Sequence, residues 1–242
     1  MVYVERKESR SSNPPWFDRA LTAVEAGCPP ANGGRRAVLP ISERLGCSVA
    51  MIPIELLICR HLGDVPTWKR VAFMAACCEP MLLNYGLYQE ASGYGSVQLL
   101  RKGLDLVWRA AETSQRPTEA DLYAIRCMQQ SPGWLNRGRP FAESASQACF
   151  AISHSLKSMD DPALPDAIDV SDAGLYSIEW FYRNELKLSD QELEDRGELI
   201  RREHTRQTVD LEILVFAASG SQVETSALLK ERAEAGRASL VV

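Results

Sequence analysis

The sequence has no Cys-x-x-Cys pair and no His-Glu-x-x-His, Gly-x-Ser-x-Gly or P-loop signature. Local metal-ligand spacing, the nucleophile elbow and the phosphate-cradling loop are therefore all missing. It has only three histidines, and neither His154 nor His204 stands three residues after a Glu, so the Glu-x-x-His pattern of di-iron helices is absent. It has no excess of positive charge: 27 Lys and Arg face 32 Asp and Glu, a formal net charge of -5. An acidic chain has no global attraction for phosphate backbones, which argues against nucleic acid as a partner. The most apolar run, Leu45 to Cys59, contains Pro53 and Glu55. It falls short of the roughly 20 residues a membrane span requires. The first residues are polar and lack the apolar core of a signal peptide. Seven cysteines cannot all pair within one chain. Reduced thiols in a cytoplasm are the expectation, with no metal and no cofactor.

What is present is helical periodicity, and it is unevenly distributed. Residues 1–50 carry Asn13-Pro14-Pro15, Cys28-Pro29-Pro30 and Asn32-Gly33-Gly34, a density of breakers that reads as an extended or disordered arm. This arm holds 7 basic and 5 acidic residues, which leaves 20 and 27 for residues 51–242. The body is thus the more acidic part. From about Met51 the pattern is helical almost throughout. Ser96 is placed to cap a helix running to Ser114, with Leu100, Leu104, Val107, Trp108 and Ala111 on its apolar side. The stretch Trp68 to Leu87 is apolar all round, which suits the centre of a bundle, and Pro80 should kink or split it. Thr118 with Asp121, Pro140 and Pro165 mark three further starts. Ser189 with Glu192 forms a capping-box pattern for a long helix to about Ala218, and Ser221 with Glu224 repeats it for the last helix. The fold class is all-α: a single-domain bundle of six to eight helices over residues 51–242.

The run Trp68-Lys-Arg-Val-Ala-Phe-Met-Ala-Ala-Cys-Cys-Glu79-Pro-Met-Leu-Leu-Asn84-Tyr85 is followed by Gly93-Tyr94-Gly95 and by Leu104-Asp105-Leu106-Val107-Trp108. In this order and spacing it resembles the YjaG family of bacterial proteins, a domain of unknown function. The resemblance covers about residues 51–240 and is most specific in its first half. It implies that the family's ordinary start lies near Met51, so that residues 1–50 are an extension or reflect an upstream misassigned start. Three positions depart from the family pattern: Pro80 stands where Arg is usual, Ser96 where Asp is usual, and Arg109 where an acid is frequent. Ser96 still caps a helix, since Asp and Ser both accept free amide hydrogens. Pro80 removes an arginine that would partner Glu79.

Several side chains merit a chemical reading beside a structural one. Glu79, in an apolar helix, is either a functional buried acid or a carboxylate satisfied by a backbone amide or a tyrosine. Asn84, Tyr85 and the turn Gly93-Tyr94-Gly95 either line a small pocket or form a tight interhelical turn. Arg101, Asp105 and Arg109, at i, i+4 and i+8, either bind an anion or form a surface ion-pair ladder. His204, on the face of Leu193, Ile200 and Leu211, reads as a hydrogen-bonded core residue, and Glu179 reads as an intrahelical partner of Arg183. Arg201, Arg202 and Arg206 form a basic turn flanked by acids. Two functions follow. The first is a non-enzymatic helical interaction protein, self-associating as a homodimer, with Trp108, Trp134 and Trp180 available to interfaces or core. The second is a small-molecule binder or unrecognised enzyme with a pocket at Glu79, Asn84, Tyr85 and Tyr94.

Overall fold

A computed structural model of the chain describes residues 52–133 and 136–236, without the side chains of residues 194–196. The expectations for residues 1–50 and for Trp134 lie outside the described residues. The described residues belong to one compact unit and are all-α. The helices are α1 (Ile54–Leu62), α2 (Thr67–Cys78), α3 (Met81–Ser92), α4 (Val97–Thr113), α5 (Ala120–Gln129), α6 (Ala142–Ser158), α7 (Leu164–Trp180), α8 (Asp190–Arg196), α9 (Glu198–Phe216) and α10 (Gln222–Gly236). A π-helical turn, Phe181–Glu185, extends α7.

Helix α2 is the axis of the bundle. Ten of its 12 residues are buried, among them Val71, Phe73, Met74 and Cys77. It packs against α3, α4, α6, α7, α9 and α10. An all-apolar helix is stable only when wrapped in this way. Of the two cations in its first turn, Lys69 is buried and donates through Nζ to the carbonyls of Ala217 at 2.9 Å and Val215 at 3.5 Å. These carbonyls close α9, where a positive charge is favoured by the helix dipole. Among the described residues Arg70 makes no ion pair; it donates to the carbonyls of Leu62, Gly63 and Pro162 at 2.9–3.0 Å, tying the end of α1 to the α6–α7 connection.

Local chemistry sets the helix ends. Pro80 splits the expected 68–87 helix: beyond it the bonds Leu82 N–H to Glu79 O and Leu83 N–H to Pro80 O are of the i to i+3 kind. The Ser96 hydroxyl accepts from Leu99 N–H at 3.3 Å, and Ser189 and Glu192 form the reciprocal box. Thr118 does not cap α5, which starts at Ala120 without a side-chain cap. The long helix expected from Ser189 breaks at Gly197, where a Cβ would lie 2.6 Å from the Leu193 carbonyl oxygen. The breaks at Pro80 and Gly197 add segments beyond the number that periodicity suggests. A small second apolar cluster, Ile178, Tyr182, Leu193 and Leu199, seats α8 between the ends of α7 and α9.

Candidate functional site

Glu79 is fully buried at the junction of α2 and α3. The sequence suggests a backbone amide or a tyrosine as its partner; the structure brings a guanidinium to it. Arg101 of α4 donates through Nη1 to Oε2 at 3.0 Å and through Nη2 to Oε1 at 2.5 Å. Trp108 adds its indole N–H to Oε2 at 3.1 Å. Arg101 and Trp108 are seven residues apart, which places them about 20° apart around a helix, so one face of α4 supplies both donors. This bidentate, charge-assisted arrangement is the strong form of a carboxylate contact. Burial pulls the Arg101 guanidinium below its ordinary value, against the fields of Asp105 and Glu234, which hold it up. Outward from Arg101 the charges continue: Asp105 lies 3.8 Å from Arg101 and 3.6 Å from Lys230 of α10. The expected surface ladder is thus only its outer half, since Arg101 turns inward and Arg109 stays exposed.

The remaining expected residues form a second group. Tyr85 is buried, and its hydroxyl donates to the Gln130 carbonyl at 3.0 Å; burial pushes its pKa up. The exposed Tyr94 donates to the Gln129 carbonyl at 3.3 Å. Gly93 (φ 68°) ends α3 in the left-handed region, and Gly95 (φ 91°) brings its backbone onto Tyr85, where a Cβ would lie 2.0 Å from the hydroxyl oxygen. Gln89 accepts from Val97 N–H at 2.7 Å and pins the far side of the turn. Asn84 is buried on the same helix. The tyrosine-glycine group therefore packs as a seam between α3 and the end of α5. Beside it, Tyr88 is fully buried with its ring 5.9 Å from that of Tyr85, and its hydroxyl lies near Ser92.

A third cluster was not legible in the sequence motifs. Arg206, read there as part of a basic turn, is mostly covered in α9, between two buried acids. It donates to Glu203 at 2.8 and 2.5 Å and to Asp210 at 2.5 Å. Arg232 of α10 reaches the other Asp210 oxygen at 3.0 Å. Gln207 donates to Glu203 at 2.9 Å and accepts from Ser171 of α7 at 2.5 Å. Burial pulls Arg206 down, but Glu203 and Asp210 outweigh it and hold it above its ordinary value. Burial raises the Asp210 carboxyl, against the opposing fields of Arg206 and Arg232. The available signal was positional: Leu199, Glu203, Gln207, Asp210 and Leu214 all occupy the buried face of α9, so polar residues stand where a core helix carries aliphatics.

The other singled-out residues have plainer places. Glu179 pairs with Arg183 at 2.8 Å, and Arg183 also meets Asp190. His204 is half-buried, with Nε2 3.0 Å from the carbonyl oxygen of Ile52. Among the described residues no group of three or more His, Cys, Asp or Glu is arranged to hold a metal ion.

Glu79, Asn84, Tyr85, the Gly93-Tyr94-Gly95 turn and Trp108 all fall inside residues 58–240, which match the family model described as "Protein of unknown function (DUF416)". The chain belongs to the DUF416 family. It is 26% identical to the uncharacterized protein YjaG of Escherichia coli K12 over 146 residues, 59% of this chain and 72% of that protein. It is also 26% identical to YjaG of Salmonella typhimurium LT2 over 144 residues, 58% of this chain and 71% of that protein. A crystal structure of a DUF416 family protein from Shewanella baltica OS155 superposes with a TM-score of 0.62 at 19% identity, covering 72% of this chain and 91% of that one. That likeness shows the fold. The YjaG resemblance read from the residues is thereby shown, together with the all-α class.

Proposed function

We propose that the chain is a non-catalytic helical protein that self-associates, and that the outer face of α5 is the contact. One observation carries this reading. Leu122, Ile125 and Met128 recur every third residue along α5 and are 48%, 55% and 45% exposed, while Ala120, Ala124 and Cys127 on its other side are buried. A surface helix ordinarily turns charged or polar residues outward, so a second apolar stripe marks a contact face. The stripe is small against the ~800 Å² per partner of a standard interface, so association is weak and concentration-dependent. The acid best placed for chemistry, Glu79, has both oxygens engaged by Arg101 and Trp108, which supports a structural role for it.

The same reading leaves nucleic acid aside. Arg206 of the basic turn is taken into a buried acid pair and Arg201 faces Glu198 at 3.4 Å. It also puts the chain in the cytoplasm, supported by the free cysteines Cys77, Cys78, Cys127 and Cys149. Among the described residues no helix is long and apolar enough to cross a membrane. Sedimentation velocity over a micromolar dilution series tests the proposal. The wild type should shift from monomer toward dimer as concentration rises, and Ile125→Glu should stay monomeric. A wild type that is monomeric at every concentration refutes it.

A second reading has one observation in its favour: the buried Asn84 and Tyr88 beside Tyr85 gather polar groups at the tyrosine seam, which suits a small polar ligand. A ligand-library thermal shift present in wild type and lost in Tyr88→Phe would support it.

A further inference from the structure

We infer that α10 is a releasable strap, held over α2, α4 and α9 by ion pairs on its two flanks rather than by apolar burial, and built to lift and uncover the charges beneath. Only four of its 15 residues are buried, Thr225, Ser226, Leu229 and Ala233. In α6, by contrast, eleven of 17 are buried. Leu229 is the sole large apolar side chain that α10 commits inward; Val223 and Leu228 are 59% and 45% exposed on its outer side. Ser226 is buried beneath it with a hydroxyl that finds no partner among the described residues.

The flanks hold it instead. Lys230 and Arg232 are two residues apart, about 200° around the helix, so they leave α10 on opposite sides. Lys230 reaches Asp105 of α4 at 3.6 Å, and Arg232 reaches Asp210 of α9 at 3.0 Å. The surface below is itself charged: Glu79 with Arg101, and Arg206 with Glu203 and Asp210. Exposing apolar surface to water costs free energy, whereas buried charges regain hydration. Lifting α10 therefore costs less than opening any seam around α6. A helix with few apolar contacts over a hydratable surface is the kind of element that opens below the global unfolding limit.

Hydrogen–deuterium exchange of the full chain, read by mass spectrometry, tests this. At low salt α10 peptides should exchange at least tenfold faster than those of α2 and α6. Molar sodium chloride should speed α10 several-fold further, because the Lys230–Asp105 pair is exposed enough to be screened. Arg232→Met should speed α10 by about tenfold with α2 and α6 unchanged, since it removes a hydrogen bond to a buried charge. Arg116→Met, which breaks ion pairs to Asp121 and Asp160 away from α10, is the control and should leave α10 unchanged. The inference fails if α10 exchanges in the slowest class with α2, or if salt and Arg232→Met speed every helix alike. The salt series on the wild type decides the matter alone if Arg232→Met does not fold.

Discussion

Replacing Glu79 by Gln, Arg101 by Met, and both together gives a thermodynamic cycle whose outcome follows from the geometry. Glu79 is fully buried, whereas the Arg101 side chain is 28% exposed. Removing one partner of a buried pair costs about 3–5 kcal/mol because the other is left uncompensated. The two single variants are therefore unequal. In Arg101→Met the buried carboxylate loses its two charge-assisted bonds and keeps the Trp108 indole, so about 3–5 kcal/mol is expected. In Glu79→Gln the stranded group is Arg101, which regains water at its exposed edge, so about 2 kcal/mol is expected after discounting for solvent screening. The double variant removes the charge problem from both sides and should be less destabilised than the sum by about 2 kcal/mol. Urea unfolding followed by far-ultraviolet circular dichroism reads all four proteins. At the usual 2–4 °C per kcal/mol for a chain of this size, Arg101→Met should melt about 6–20 °C below wild type. A coupling below about 0.5 kcal/mol, or equal losses in the two single variants, would refute the picture of a desolvated carboxylate clamped by a half-hydrated arginine.

Four further outcomes are expected. Arg70→Met should cost about 2–3 kcal/mol in urea, since three backbone carbonyls lose their charged donor at once, and Arg70→Lys should recover only part of it. Gly95→Ala should cost about 2 kcal/mol or more, from its left-handed φ and from the Tyr85 hydroxyl in the way; Tyr85→Phe in that background should restore part of the loss by calorimetry. Burial pushes the Cys78 and Cys127 thiols up to about 12, so native protein at pH 8 should alkylate there far more slowly than unfolded protein in peptide mapping. The sign in alkali follows: above roughly pH 9 the unfolded chain ionises these thiols while the folded chain keeps them protonated, so stability should fall from there toward pH 12 in a urea series, and fall less in Cys78→Ala.

What was legible in the sequence was local. The Ser96 cap, the Ser189–Glu192 box and the apolar arc of α4 are set by neighbours within one or two turns, and each lies where its pattern puts it. Glu79 stood out because a charge in an apolar helix must be answered. Its answer was not readable, since Arg101 arrives from the next helix but one and the spacing that matters, seven residues to Trp108, straddles the polar and apolar sides of α4. Arg206 was misread for a related reason: beside Arg201 and Arg202 it looks like surface charge, and only the burial of Glu203, Gln207 and Asp210 on the same helix shows where it points. The break at Gly197 hides inside a periodic stretch because the periodicity continues on both sides, while the deciding contact is with a carbonyl one turn back.

The contact of Lys69 with the end of α9 joins residues 148 positions apart in the chain. During synthesis, the axis of the bundle emerges long before α9 and α10, which supply its last neighbours. Until then α2 has α3, α4, α6 and α7 to pack on, but Lys69 lacks the carbonyls it bonds in the finished fold. A ribosome stalled after α7 would hold a chain whose most apolar helix is half-dressed, and such species are the ones that chaperones and proteases handle. The centre of the bundle therefore closes only after α9 and α10 have been made, late in the order of synthesis.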